Sequence, residues 1–126
     1  MPGLPNVILT PHLGASTMEA EDNCAVMAVE EMMDYIENVK ITNSVNFSAC
    51  HMGACRGANR LALFHKNIPN IIAQITNAIT ELNISDMMNK SRGDYAYTLM
   101  DLDSPVTGET IEKLNKIKGL IRFRVI

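Results

Sequence analysis

The stretch that decides the fold is residues 59–83, NRLALFHKNIPNIIAQITNAITELN, in which a strand-like segment is followed by a helical one. The first nine residues place a short apolar run between polar ends, as a buried strand does. After Pro69 the apolar side chains recur every three or four residues, which predicts a helix with Asn67 as its N-cap and Pro69 in its first turn. The inward face of this helix would consist of Ile71, Ile72, Ile75, Ala78, Ile79 and Leu82.

A hairpin and a second helix follow. The sequence ISDMMNKS at 84–91 predicts a polar strand, RGD at 92–94 a turn, and YAYTLMDLD at 95–103 a stronger strand rich in Tyr, Thr and Leu. Although RGD copies an adhesion signal, a glycine between polar residues at a hairpin turn accounts for it fully. Thr107 is the predicted N-cap of the second helix, which Gly119 ends before LIRFRVI closes the chain as a strand.

The order of elements from residue 59 onward is therefore β-α-β-β-α-β, which predicts an α+β, ferredoxin-like fold. Right-handed crossovers place the first strand beside the third and leave the second and fourth strands at the edges of the sheet. Polar Ser85, Asn89 and Lys90 suit the predicted edge position of the second strand.

The N-terminal part predicts a strand, a loop and a long helix. Residues 7–9 form an apolar run that Pro11 ends, as expected of a buried strand. Ser16 and Glu19 have the spacing of a capping box, so a helix should begin there and continue to about Asn38. Its apolar stripe consists of Ala25, Ala28, Val29, Met32, Tyr35 and Ile36. The helix also carries a run of methionines, Met27, Met32 and Met33, which we expect to be uncovered in the present chain.

Residues 41–58 have no steady period and collect Asn, Ser, Gly and Ala, which is typical of a flexible linker. We therefore divide the chain into an N-terminal segment (1–40), a linker (41–58) and a C-terminal domain (59–126). The linker contains Cys50, His51 and Cys55, but structural zinc prefers two ligand pairs at short spacing. That spacing is absent, so no metal site is expected.

The composition is that of a soluble globular protein, with 47% hydrophobic and 20% charged residues among 126. Residues 1–39 contain seven acids and no Lys or Arg, whereas the remainder carries eleven bases and seven acids. Neither part has a basic patch interleaved with aromatic residues, so a nucleic-acid partner is not expected. Three cysteines match no disulfide framework, and no apolar run approaches the ~20 residues of a membrane span, which favours a cytoplasmic protein.

Two segments resemble one known family in that family's own order. LPNVILTPHLGASTMEAEDNCAVMAVEEMMDYIEN at 4–38 resembles the end of the catalytic region of the phosphoglycerate dehydrogenase family of D-2-hydroxyacid dehydrogenases, and ITNSVNF at 41–47 resembles the join that follows it. The stretch from RLALFHKNIPNIIAQITNAITELNI at 60–84 to IRFRVI at 121–126 resembles the ACT domain that ends many of these enzymes. The resemblance implies an ACT regulatory domain over 59–126.

His12 stands at the position of the family's catalytic acid/base, in the sequence TPH. By resemblance, this histidine exchanges a proton with the substrate hydroxyl in the parent enzyme while hydride moves to or from NAD. The chain contains no G-x-G-x-x-G, the turn that the nucleotide requires. We therefore expect the C-terminal piece of a longer dehydrogenase, with no cofactor bound to this chain and no activity of its own.

The resemblance further implies a ligand site formed by His65, Asn67 and Asn83, whose counterparts in serine-inhibited members bind L-serine between two ACT domains paired edge to edge. The sequence places His65 and Asn67 in the turn after the first strand and Asn83 at the end of the helix. Asn67 and Asn83 are also good helix caps and could be purely structural. The family usually has Gly where this chain has Asn70, which can adopt the left-handed conformation but adds bulk.

Two functions follow as alternatives. The chain is either an allosteric module that binds a small amino acid at a homodimer interface, or an ACT domain that only holds subunits together. Titration with L-serine distinguishes them.

Overall fold

The computed structural model describes residues 3–126, which contain three helices and four strands. In chain order these are α1 (Met18–Asn38), β1 (Asn59–Lys66), α2 (Ile71–Ala78), β2 (Ile84–Arg92), β3 (Tyr95–Leu102), α3 (Gly108–Asn115) and β4 (Leu120–Val125). The chain forms two compact units, one up to Glu30 and the other from Glu31 to Ile126. Within the described residues, no helix is both long and apolar enough to cross a bilayer.

The four strands form one antiparallel sheet in the order β2-β3-β1-β4. β1 therefore lies beside β3, and β2 and β4 are the edges, as the sequence predicts. The fold class is confirmed: the second unit is α+β with the ferredoxin-like βαββαβ arrangement. β2 keeps its polar side chains at an edge, where unpaired backbone groups meet solvent.

One face of the sheet packs against α2 and α3. Because successive side chains of a strand point to opposite faces, Leu61 and Leu63 lie on this side of β1. Burying a leucine or isoleucine completely contributes roughly 1.5–3 kcal/mol to the free energy of unfolding. This core consists of Leu61, Leu63, Ile71, Ile75, Ala78, Ile79, Met100, Leu102 and Leu114.

The opposite face of the sheet is covered by residues 39–58, here called the covering segment. Most of this segment is the part of the chain that the sequence assigned to a flexible linker, 41–58. Val39 and Cys50 are fully buried, and Ile41 and Cys50 form an isolated antiparallel bridge. Phe47 packs edge-on against Phe64 of β1, with ring centroids 5.0 Å apart. The prediction that Cys50 lies in a flexible segment is wrong, because alternate side chains of β1 and β3 leave a second apolar face that 39–52 covers.

A buried ion pair joins this covering segment to the sheet. The Arg60 guanidinium donates from Nε to Oδ1 of Asp101 at 2.6 Å and from Nη2 to Oδ2 at 2.8 Å, and both residues are at most 2% exposed. Its Nη1 donates to the carbonyl oxygens of Asn38 (3.3 Å) and Gly53 (2.6 Å). One guanidinium thus links the end of α1, the covering segment and two strands.

Two predictions for the N-terminal unit are wrong. Residues 7–9 form no strand, and Ile8 is 89% exposed, because no neighbouring strand is present in the described chain to pair with it. The N-cap of α1 is Thr17 rather than Ser16, since the Thr17 hydroxyl accepts a hydrogen bond from the Ala20 amide at 3.1 Å. The predicted end of the helix at Asn38 is confirmed, and its Met32 and Met33 are more than half exposed.

α2 is shorter than predicted and has a different N-cap. It begins at Ile71, and its N-cap is Asn70, in the left-handed conformation (φ 66°) and without a side-chain capping bond. The prediction of Asn67 as the cap is therefore wrong. Thr107 is confirmed as the cap of α3, since its hydroxyl accepts from the Thr110 amide, and Gly119 follows that helix with a φ of +102°.

Candidate functional site

His65 is a buried residue of β1 and not a turn residue, contrary to the sequence prediction. It is 1% exposed, and both ring nitrogens have partners. Nδ1 lies 2.9 Å from the carbonyl oxygen of Lys66, and Nε2 lies 2.7 Å from Oγ1 of Thr98 on β3. Thr98 Oγ1 in turn lies 2.8 Å from the side-chain oxygen of Asn89 on the edge strand.

These bonds hold the ring of His65 in one orientation. A carbonyl oxygen only accepts, so His65 Nδ1 donates to the Lys66 carbonyl oxygen. The Thr98 hydroxyl donates to the side-chain oxygen of Asn89. Hydrogen bonds therefore connect the end of β1 to the edge strand β2 through buried side chains.

Asn67 lies beyond β1, beside the tip of the β2–β3 hairpin. Its backbone amide donates to the Asp94 carbonyl oxygen at 2.8 Å, and its side-chain Nδ2 donates to the Gly93 carbonyl oxygen at 3.1 Å. A hollow of about 300 Å³ opens beside it. The hollow is lined by Lys66, Asn67, Ile68, Asp94 and Tyr95.

Two charged residues of this hollow escaped the sequence analysis. Lys66 and Asp94 are both exposed, and neither forms an ion pair within residues 3–126. They are 28 positions apart in the sequence, so no local pattern links them; the hairpin at Gly93 brings Asp94 beside the end of β1. One ammonium and one carboxylate that line the same small hollow suit a zwitterionic ligand.

Asn83 lies at the other end of the hairpin. It precedes Ile84, which pairs with Leu102, whereas the hollow is beside Arg92 and Tyr95 at the opposite end of β2. Its side-chain amide donates to the Asp103 carboxylate, and its carbonyl oxygen accepts from the Asp103 amide at 3.0 Å. Since nine strand residues span roughly 25–30 Å, Asn83 does not reach the hollow of its own chain.

Nearly the whole chain is similar to known proteins. No family model matches it. The chain is 30% identical over 122 residues to D-3-phosphoglycerate dehydrogenase of Dictyostelium discoideum and 32% identical over 123 residues to that of Haemophilus influenzae. It is 28% identical over 125 residues to the Escherichia coli K12 protein of the same name. These alignments cover 96–97% of the chain but 30% of each relative.

The chain is homologous to the C-terminal portion of D-3-phosphoglycerate dehydrogenases. The homology includes the N-terminal segment with His12 as well as the ferredoxin-like unit, because the alignments leave only 3–4% of the chain uncovered. The chain spans about a third of the length of these dehydrogenases.

His12 is an exposed residue of the first unit. No carboxylate forms an ion pair with it within residues 3–126. A catalytic histidine needs such a partner to hold its tautomer, so the described residues do not assemble the acid/base pair of a dehydrogenase.

The two cysteines and the one histidine of the covering segment, Cys50, His51 and Cys55, are not part of a metal-binding cluster among residues 3–126. Within the part of the chain that the structure describes, no three His, Cys, Asp or Glu side chains lie close enough to hold a metal ion. Burial raises the pKa of the Cys50 thiol to about 11, and the nearby Lys90 ammonium offsets this only in part. Cys50 is therefore a protonated thiol that acts as a small apolar side chain.

Proposed function

We propose that the chain is the regulatory C-terminal portion of an NAD-dependent 3-phosphoglycerate dehydrogenase of serine biosynthesis. Its ACT domain would pair with a second copy and bind a small amino acid, L-serine, for feedback inhibition. The observation that carries this proposal is the hollow beside Asn67, flanked by Lys66 and Asp94, at the end of an unpaired edge strand. In the parent enzyme NAD would take up or deliver the hydride, and His12 would exchange the proton of the substrate hydroxyl.

The chemistry of the hollow suits a free amino acid. The Lys66 ammonium would receive the ligand carboxylate, and the Asp94 carboxylate would receive the ligand ammonium. Within residues 3–126 the side-chain oxygen of Asn67 accepts no hydrogen bond, so it can accept from a ligand hydroxyl or ammonium. A volume of about 300 Å³ accommodates a molecule of the size of serine.

Pairing of two β2 strands would bring Asn83 into the same site. An antiparallel two-fold arrangement centred on Met88 places Asn83 of one copy near Gly93 of the other, allowing for the shift of register in β2 between Ile84 and Asp86. The Gly93 carbonyl oxygen is the acceptor of the Asn67 side chain, so the Asn83 of the second copy would meet Asn67 at the hollow. This arrangement makes one site from two chains and gives two sites per dimer.

The charges of β2 favour the same register. With Met88 on the axis, Asp86 of each copy lies opposite Lys90 of the other, and both side chains are exposed. Opposite charges across an antiparallel pair stabilise it by roughly 0.2–1 kcal/mol. A register shifted by one residue would lose both contacts.

Regulation would follow from differential binding. Because each ligand contacts two chains, it binds the paired state more tightly than the separate domains and shifts the population toward pairing. His65 is already fully bonded within its own chain, so we assign it the role of holding Thr98 and the turn in position rather than a direct contact with the ligand.

The alternative is a domain that only assembles subunits. Both ring nitrogens of His65 and the amide of Asn83 have intrachain partners, and Asn70 adds a side chain where the family has glycine. These features favour a site that no longer takes a ligand. In that case the dimer forms equally well with and without amino acids.

Calorimetric titration of the 126-residue chain with L-serine tests the proposal. We expect saturable heat that is lost in Asn67→Ala and in Asn83→Ala but retained in Asn77→Ala, an exposed asparagine of α2. Glycine, L-alanine and L-aspartate complete the panel. Silence across the panel, together with an unchanged dimer in sedimentation, would establish the assembly function instead.

A further inference from the structure

A larger cavity of the second unit adjoins the hollow beside Asn67 and shares only Tyr95 with its lining. It encloses about 750 Å³ between the hairpin end of the sheet, the covering segment and the last turn of α1. Cavities of small-molecule sites usually enclose about 300–1,000 Å³, and this one is more than twice the size of the hollow. Neither Asn67 nor Asn83 lines it, although His65 does.

Aromatic rings form much of its wall. Phe47 and Phe64 pack against one another, and Phe64 lies 4.4 Å from the ring of Tyr97 behind it. Tyr35 and Tyr95 stand nearer the opening, 37% and 49% exposed. Such rings offer flat apolar faces on which a planar ligand can stack.

Two guanidinium groups stand at this cavity without an acidic partner. Arg92 and Arg122 are exposed lining residues, and within residues 3–126 neither forms an ion pair. No Asp or Glu lines the cavity. Arg124 on the same strand differs, since it donates to the carbonyl oxygens of Tyr35 and Ile36 at the end of α1.

We propose that this cavity is a second binding site, for a planar aromatic molecule that carries an anionic group. The ring system would stack against Phe47 and Phe64, and the anion would be held by Arg92 and Arg122 in charge-assisted hydrogen bonds. A free aliphatic amino acid fills too little of the space and offers no ring. The two sites therefore take different ligands.

The source of the anion is either a phosphate or a carboxylate. Adenosine monophosphate serves as the aromatic phosphate and indole-3-propionate as the aromatic carboxylate, with adenosine and inorganic phosphate as the halves of the first probe. We expect calorimetric binding of both aromatic anions, tighter for the doubly charged phosphate. Adenosine and phosphate alone should bind at least tenfold more weakly, because each makes only one kind of contact.

The variants separate this site from the proposed serine site. Arg92→Gln and Arg122→Gln should each weaken the aromatic anion about tenfold, as expected for loss of one charge-assisted bond. Arg56→Gln, the same charge change at an exposed arginine outside the cavity, should leave binding unchanged. Asn67→Ala should abolish the response to serine but weaken the aromatic anion less than Arg92→Gln does, because Asn67 does not line the cavity and touches it only through its bond to the Gly93 carbonyl oxygen.

Three results would overturn the proposal: no binding of either aromatic anion, equal weakening by Arg56→Gln, or binding of inorganic phosphate as tight as that of the nucleotide. The third would mean that the arginines hold an anion and the aromatic wall contributes nothing. Phe47→Leu provides a further check, since it should weaken the aromatic probes about tenfold and leave phosphate unaffected. Circular dichroism of each variant verifies its fold.

Discussion

At the scale of single residues, the stability of the second unit depends on hydrogen bonds between polar side chains buried in the sheet. His65, Thr98 and Asn89 form a chain of hydrogen bonds that runs from the end of β1 to the edge strand. Arg60 and Asp101 form another between the sheet and the segment that covers it. Buried polar groups stabilise a fold only while each has a partner, so removing one member should be costly.

Thr98→Val tests the first of these chains. The side chain keeps its shape but loses the hydroxyl, which leaves the buried Nε2 of His65 without a partner. We expect the free energy of unfolding to fall by about 1–3 kcal/mol in urea titration. Thr98→Ser should restore most of the loss. Thr80→Val, at an exposed threonine, should change stability by no more than about 0.5 kcal/mol; an equal loss there would contradict the role of the network.

Asp101→Asn tests the second set of buried contacts, the ion pair between Arg60 and Asp101. It leaves the Arg60 guanidinium buried without its counter-ion, which should cost about 3–5 kcal/mol. The pair also predicts a pH dependence, because hydrogen bonds from Arg60 lower the pKa of Asp101 below its ordinary value. A carboxylate with a depressed folded-state pKa contributes stability above its unfolded-state pKa of ~3.9 and loses that contribution as the pH falls through the folded-state value.

Chemical denaturation at several pH values measures this contribution. The difference in unfolding free energy between wild type and Asp101→Asn should be constant from pH 7 to about 5 and should shrink below about pH 4. A difference that stays constant down to pH 2.5 would show that the carboxylate charge contributes nothing. Glu112→Gln, at an exposed carboxylate of α3, provides the comparison.

The sequence could not reveal either set of contacts. His65 and Thr98 are 33 residues apart, and Arg60 and Asp101 are 41 apart. Each pair is adjacent only because β1 and β3 align antiparallel in one particular register. The type of each residue could be read from the sequence, whereas its partner depended on that register.

At the scale of elements, local signals predicted the types of helices and strands but not all of their ends. Thr107, Gly119 and the turn at Gly93 act as predicted because their conformations depend on nearby backbone groups. Residues 7–9 do not form the predicted strand, and Asn67 is not the predicted N-cap. Strand pairing and the contact of Asn67 with the hairpin both depend on residues that are distant in the sequence. The packing of Cys50 escaped prediction for the same reason.

Asn70 gives a test at the start of α2. It adopts a left-handed conformation without a side-chain capping bond, so its side chain contributes no hydrogen bond to the helix end. Asn70→Gly should therefore keep or slightly raise stability, whereas Asn70→Ala should lower it by about 1 kcal/mol because alanine resists a positive φ. Thermal unfolding of the two variants measures the difference. A more stable alanine variant would mean that the turn relaxes to another conformation.

At the scale of the whole molecule, the architecture of the second unit followed from the order of its elements, since right-handed crossovers leave few arrangements for βαββαβ. The candidate ligand site beside Asn67 was predictable only in part. Asn67 stands beside a hollow, but Lys66 and Asp94 join it through the hairpin, and Asn83 lies too far away within one chain. The proposed completion of the site by Asn83 of a second copy would leave no local signature in one sequence.

Charge reversal on β2 tests the proposed pairing. Asp86→Lys and Lys90→Asp should each weaken self-association several-fold, because each places like charges opposite one another twice per dimer. The double variant restores opposite charges and should regain the original dimerisation constant in sedimentation equilibrium. Lys118→Asp, an exposed lysine outside the sheet, is the control. A double variant as weak as the single ones would exclude the register centred on Met88.

The other edge strand of the sheet, β4, would limit how many copies of the chain can join the proposed assembly. β4 carries Arg122 and Arg124 on one side, and an antiparallel copy centred on Phe123 would set these cations directly against each other. Arg124 is also anchored to the carbonyl oxygens that end α1, which holds its charge at that margin. If two copies pair through β2 as proposed, repulsion between the β4 edges would stop further copies from adding, so the assembly would end at a dimer and would not extend into a fibre.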